Sequence, residues 1–168
     1  DTWKSRGLGD VYKRQGYLSC ENQKELFFKL SLAQWSFNGS IRYGGASPYL
    51  FAEKSKELGF AGLEYVNQLY DDVMKSEDKY SSIKKFISKN NELASDNGME
   101  NVLIMIDEEG DLATEDEKER LKSIDNHKLW IDTAAEMNCS SVRLNLYGTQ
   151  DVETVSYTHL TLPTKCSV

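Results

Sequence analysis

The sequence predicts an α/β fold in which the strands of one parallel sheet alternate with helices. Three observations predict it. Four short runs rich in β-forming residues recur at intervals of about 30 to 40 residues. They are KLSLAQWS (Lys29 to Ser36), AGLEYVN (Ala61 to Asn67), NVLIMID (Asn101 to Asp107) and SVRLNLY (Ser141 to Tyr147). Each of the first three is followed by a stretch with helical patterning, the alternation that builds βα units on a parallel sheet. Finally, VLIMI is apolar at every position, as a strand covered on both faces should be.

The intervening helices have readable ends. The first has Ser47 as N-cap and Pro48 at the first helical position, continues through YLFAEKSKEL, and stops at Gly59, where a left-handed residue is least strained. The second lies within Tyr80 to Ser95, carries Ile83, Phe86, Ile87 and Leu93 on one stripe, and stops at Gly98. The third opens with TEDE, Thr114 to Glu117, which reads as a capping box with acidic side chains near the helix N-terminus. It places Leu121, Ile124, Ile131 and Ala135 at helical spacing, with Leu129 and Met137 beside them. The charged DEKER within it reads as a solvated face.

Two architectures fit this order. A doubly wound sheet usually carries a glycine-rich phosphate turn after its first strand, but WSFNGSIRYGGAS stands there, and Gly44-Gly45 does not continue into a dinucleotide fingerprint. Nothing reverses the strand order before the fourth run. The expectation is therefore a truncated (β/α)8 TIM barrel, about its first four βα units, since a complete barrel takes about 250 residues.

Both ends read as translated sequencing adapter. DVYKRQ, Asp10 to Gln15, can be encoded by a DNA whose complementary strand, in another frame, gives VSYTH, the string at Val155 to His159. SRGLG (Ser5 to Gly9) and HLTLPT (His159 to Thr164) extend the match outward as translations of the two adapters of a transposase library. The expected organisation is adapter over 1–15, a leader or tether over 16–27, the partial barrel over 28–153 and adapter over 154–168.

The chain carries a formal charge of −7. Its front end is net basic through Lys4, Arg6, Lys13 and Arg14, and Lys165 lies at the back, so the interior is more acidic still. An acidic surface without a basic patch repels a phosphate backbone, so nucleic acid is not an expected partner. Cys20 and Cys139, far apart, do not make a disulfide framework. No apolar run approaches the roughly 20 residues that span a bilayer.

The strings FKLSLAQWSF, LGFAGLEYVNQ, NVLIMIDEEGDL and NHKLWIDTAAEMNCSSVRLN together resemble the first half of the xylose isomerase-like barrels known as sugar phosphate isomerases/epimerases. The resemblance covers Phe28 to Asn145. LGFAGLE marks a broad superfamily that also includes dehydratases and apurinic-site endonucleases. SLAQWS, NHKLW and VRLN are more specific and point to the sugar-active branch. The resemblance implies a divalent metal, held by two Glu, an Asp and a His, that polarises a sugar carbonyl and hydroxyl while an acid/base pair moves a proton between adjacent carbons. Those ligands belong to later strands of the family's barrel, so the resemblance places no metal ligand or catalytic residue in this chain.

Active sites of such barrels lie at the carboxyl ends of the strands. Gln34 and Trp35 close the first run, as an amide for hydroxyls and an aromatic face for a sugar ring, although Trp35 could equally pack beneath the next loop. Asn67 closes the second and Asn145 the fourth, and both are expected as substrate contacts. Glu64, mid-strand, needs a partner, for which Arg143 on the fourth strand is the candidate. Asp107, Glu108 and Glu109 invite a metal reading, but consecutive strand residues point to opposite faces, and a solvated turn is the preferred reading. His127, on a helix away from the strand ends, is expected to pack rather than to catalyse.

YLSC, ending at Cys20, resembles the end of a bacterial lipoprotein signal, with Cys20 as the lipid-bearing residue and a polar tether after it. The expectation is either a cytoplasmic protein or one anchored by lipid at the cell envelope. The leading functional expectation is a metal-dependent isomerase or epimerase acting on a sugar or sugar phosphate, inactive in this half, which itself needs no metal. The alternative is a non-catalytic carbohydrate-binding barrel tethered through Cys20. A half barrel exposes strand edges and an apolar inner face, so self-association is expected.

Overall fold

The computed structural model describes residues 28–146. The two adapter-like ends, the 16–27 segment and Cys20 lie outside the described residues. The fold is α/β. Strands β1 (Ser31–Ala33), β2 (Gly62–Val66), β3 (Glu100–Ile106) and β4 (Ser141–Leu144) form one parallel sheet in the order β1-β2-β3-β4. Among the described residues, five α-helices accompany them: α1 (Asn38–Arg42), α2 (Phe51–Glu57), α3 (Asp71–Met74), α4 (Lys79–Asn97) and α5 (Glu117–Glu136). Sequential order with helical crossovers is what consecutive βα repeats give.

The first strand is shorter than its β-rich run. Gln34–Phe37 leaves the sheet as a 3-10 turn that leads into α1, because Gln34 is drawn inward by hydrogen bonds described below. The helix signals around Pro48 hold: the Ser47 hydroxyl accepts from the Tyr49 amide, Pro48–Leu50 forms a 3-10 turn, and α2 follows. Gly59 and Gly98 take φ of 84° and 62°, as helix-stopping glycines do. Asp78 caps α4 by accepting from the Ser81 amide.

At α5 the structure corrects two expectations. The cap is Asp116, whose carboxylate accepts from the Glu119 amide at 2.9 Å, while Thr114 only accepts from Asp116 N in the turn before it. The buried face is Ser123, His127, Trp130, Thr133, Ala134 and Met137, whereas Leu121 and Ile131 are 54% and 43% exposed. Polar residues occupy the inner stripe because each satisfies itself within the helix. Ser123 donates to Glu119 O, Thr133 donates to Leu129 O, and the His127 Nδ1 meets Ser123 O at 2.7 Å.

The core lies between the sheet and the helices. Leu63, Tyr65, Ile104 and Ile106 point into it and are at most 1% exposed, while Glu64, Leu103 and Met105 on the opposite face are only partly covered. A bulge at Val102 inserts one extra residue in β3 between the pairs Leu63↔Asn101 and Glu64↔Leu103, so the alternation stays in phase across it. Phe86 is the aromatic hub, with edge-on contacts to Tyr65, Tyr70 and Trp130 at 6.3, 4.7 and 5.6 Å between centroids. Among the described residues, no helix is long and apolar enough to cross a membrane.

Candidate functional site

The uncovered face of the sheet and the loops at its carboxyl end make the site. Register places Arg143 beside Met105, so Asp107, Arg143 and Asn145, two residues apart along their strands, emerge on the same face. Asp107 is their hub. Its carboxylate accepts from Arg143 Nη2 at 3.2 Å to each oxygen, from Asn145 Nδ2 at 2.5 Å and from Gln68 Nε2 at 3.0 Å. The Gln68 carbonyl in turn accepts from Arg42, whose guanidinium lies over the Trp35 ring, 5.1 Å from its centroid. Trp35 is 42% exposed and, with Asp107, Glu108, Arg143 and Asn145, lines an open cleft of about 790 Å³.

Gln34 and Asn67 do not reach this cleft. Both are fully buried, and their amides hold the backbone. Gln34 donates to Pro48 O at 3.0 Å and to the Tyr70 hydroxyl at 2.9 Å, and accepts from the Val66 amide at 3.1 Å, which leaves neither N–H for a ligand. Asn67 donates to Asp107 O at 2.9 Å and accepts from the amides of Asp107 and Gln68 at 2.8 and 2.7 Å. It thereby continues the β2–β3 ladder by one side chain past the end of β2 and fixes Asp107. Gln68, one residue further on, lines the cleft instead.

The expected pairing of Glu64 with Arg143 is also corrected. Glu64 accepts from the Ser31 hydroxyl on the adjacent β1, because β1 is its direct neighbour, whereas β3 stands between β2 and β4. Arg143 turns to Asp107, which β3 presents beside it.

The three consecutive carboxylates diverge. Glu108 adopts φ 60°, a left-handed conformation that costs a non-glycine residue about 1 kcal/mol or more, and this reverses the chain between its neighbours. Asp107 faces the cleft, Glu108 lies at its rim, and Glu109 enters the core. There Glu109, its side chain 3% exposed, accepts from Lys79 Nζ at 2.6 and 2.7 Å and from the Trp130 indole, while Asn126 donates to its backbone carbonyl. Gly110 follows with φ 99°, and a Cβ there would stand 2.2 Å from the Ser123 hydroxyl, so the loop lies against α5. No three His, Cys, Asp or Glu side chains converge among the described residues. His127, 4% exposed, lies on the helix side of the sheet.

Arg42, Gln68 and Asp107 are the site residues that sequence reasoning missed. The one available signal was the carboxylate at the end of the third strand, read there as a solvated turn. A scan against protein-family models gives no match to this chain, and a search of the curated proteins gives none either. The class that stands is an α/β protein with a four-strand parallel sheet and a polar cluster at the carboxyl ends of its strands.

Proposed function

We propose that residues 28–146 form the front part of a xylose isomerase-like barrel of the sugar phosphate isomerase/epimerase type, and that the cleft takes part of a sugar. The observation that carries this reading is the fan of planar polar groups around Asp107 beside an exposed indole. Carboxylate, guanidinium and carboxamides in one cleft supply both acceptors and donors to neighbouring hydroxyls, and an aromatic face packs on the apolar C–H face of a sugar ring. Resemblance at FKLSLAQWSF, LGFAGLEYVNQ and VRLN supports it independently.

In this reading, Asp107 and Asn145 bind hydroxyls, Arg143 fixes the position of the Asp107 carboxylate, and Trp35 with Arg42 orients the ring. The described residues do not fit a divalent metal. Of the carboxylates at the cleft, Asp107 already accepts from a guanidinium and two amides, no three His, Cys, Asp or Glu side chains converge there, and Glu109 is turned into the core. The reading therefore places the metal and the acid/base pair of the parent isomerase outside residues 28–146. The satisfied state of Asp107 equally favours the non-catalytic alternative, a carbohydrate-binding barrel, since it is a hydroxyl-holding arrangement rather than a proton-transferring one.

Titration of the chain with neutral sugars and sugar phosphates, followed by NMR, tests the binding claim. Saturable shifts at Asn145 and at the Trp35 indole, lost in Asp107→Ala, are expected. Absence of binding at millimolar ligand sinks the reading. Solvent-deuterium exchange into a bound sugar by the intact parent with added Mg2+ or Mn2+ separates isomerase from binding module.

A further inference from the structure

We infer that the site takes an unphosphorylated carbohydrate of at least two units, rather than a single sugar phosphate. The inference rests on the proposed function and sharpens its substrate class. It comes from the shape and charge of the opening that the described residues form at the carboxyl ends of the strands.

The cleft around Asp107 does not end at Gln68. Beyond it lies a second chamber of about 740 Å³ between the loop after α1 and the α3 segment, floored by Ser47, Pro48 and Tyr49. Gln68 and Glu108 line both chambers, and Arg42 lines the second while lying over Trp35 of the first. Each chamber alone falls within the roughly 300–1,000 Å³ that holds a drug-sized ligand. One six-carbon sugar in the Trp35 chamber leaves the other empty. A second unit linked to it would run past the Arg42–Gln68 pair toward the Tyr49 ring.

The charges oppose a phosphate. Five carboxylates line the two chambers: Asp71, Asp72, Asp107, Glu108 and Asp111. Three cations face them: Arg42, Lys75 and Arg143. Two of the cations are already neutralised, Arg143 by Asp107 at 3.2 Å and Lys75 by Asp71 at 2.7 Å. Lys89 stacks on the Tyr49 ring, 3.6 Å from its centroid, rather than lining the chamber. Among the described residues, only Arg42 remains in the lining to meet an anion, against Asp72, Glu108 and Asp111, and the chain as a whole carries −7. A cleft lined by excess negative charge lowers the local concentration of an anionic ligand. The same carboxylates accept hydrogen bonds from neutral hydroxyls with no such penalty.

The test compares glucose, glucose 6-phosphate and a panel of neutral disaccharides by calorimetric titration of the 168-residue chain in low salt. A disaccharide is expected to bind at least tenfold more tightly than either single sugar. Lys75→Trp, at an exposed position lining the second chamber, should bring the disaccharide down to the affinity of glucose and leave glucose unchanged. Glu108→Gln, which keeps an acceptor oxygen for a hydroxyl but removes a negative charge, should raise the ratio of phosphate to glucose affinity severalfold. Binding of glucose 6-phosphate as tight as the best disaccharide, or equal binding of glucose and every disaccharide, overturns this inference while the proposed function stands. If none of the three ligand types binds, the proposed function falls, and this inference with it.

Discussion

Asn67 shows how a single side chain divides labour with its neighbours. Polar and at a strand end, it has the sequence profile of a ligand contact, yet its amide satisfies the backbone of Asp107 and Gln68 instead. Asn67→Ala leaves two amides and a carbonyl unsatisfied near the core, so a loss of about 2 kcal/mol is expected, read as a lower midpoint in urea. Ligand binding should weaken along with it, because Asp107 loses its clamp. Titration at this scale has a definite sign. Burial pushes the Cys139 thiol up to about 11 and raises the Tyr65 and Tyr70 phenols above their ordinary range. The folded state therefore holds these protons more tightly than the unfolded chain does. Their contribution is intact below the unfolded values of about 8.5 for Cys and 10 for Tyr, and it is lost as pH rises beyond them. The melting temperature should fall steadily from pH 9 to 11, and a flat profile across that range would contradict the burial assigned to these groups.

Among the elements, α5 separates what local sequence signals can say from what they cannot. The sequence pointed to a capping box starting at Thr114, and the residue that caps the helix is Asp116, whose carboxylate accepts from the Glu119 amide. Asp116→Ala should cost about 1 kcal/mol, and Thr114→Ala much less. Equal losses in thermal melts would restore the earlier cap. The helix carries two stripes, one apolar and one of small or polar residues around Trp130, and the second faces the core. Trp130 decides the matter because Glu109, held by Lys79 at the start of α4, accepts from its indole. That contact joins residues from the loop after β3 and from two helices, and none of the three is adjacent to another in sequence. The Gly98 stop of α4 and the Ser47–Pro48 start ahead of α2 were legible, since such glycines and caps act within a few residues.

At the scale of the whole molecule, β1 and β4 end the sheet, and among the described residues neither outer edge has a strand partner. Leu121 and Ile131 lie exposed on α5, and the sheet face bearing Leu103 and Met105 is only partly covered. Unpaired edges and apolar surface together favour association, so the chain is expected to sediment as dimers or larger species at micromolar concentration. A monomer that melts cooperatively and shows no concentration dependence would be the contrary result.

The alternation of strand and helix, the parallel sheet in sequential order and the helix signals at Ser47–Pro48, Gly59 and Gly98 were determined by the sequence alone. They depend on periodicity, capping and glycine conformation, which operate over a few residues. The site was only partly determined. The carboxyl ends of the strands could be located, and Trp35, Arg143 and Asn145 were among the residues marked there. Tertiary structure alone decided that Gln34 and Asn67 turn inward, that Arg143 meets Asp107 rather than Glu64, that Gln68 joins the cleft and that Arg42 lies over Trp35. Those choices depend on which strand lies next to which and on where a buried backbone group needs a partner, and both are properties of the assembled sheet.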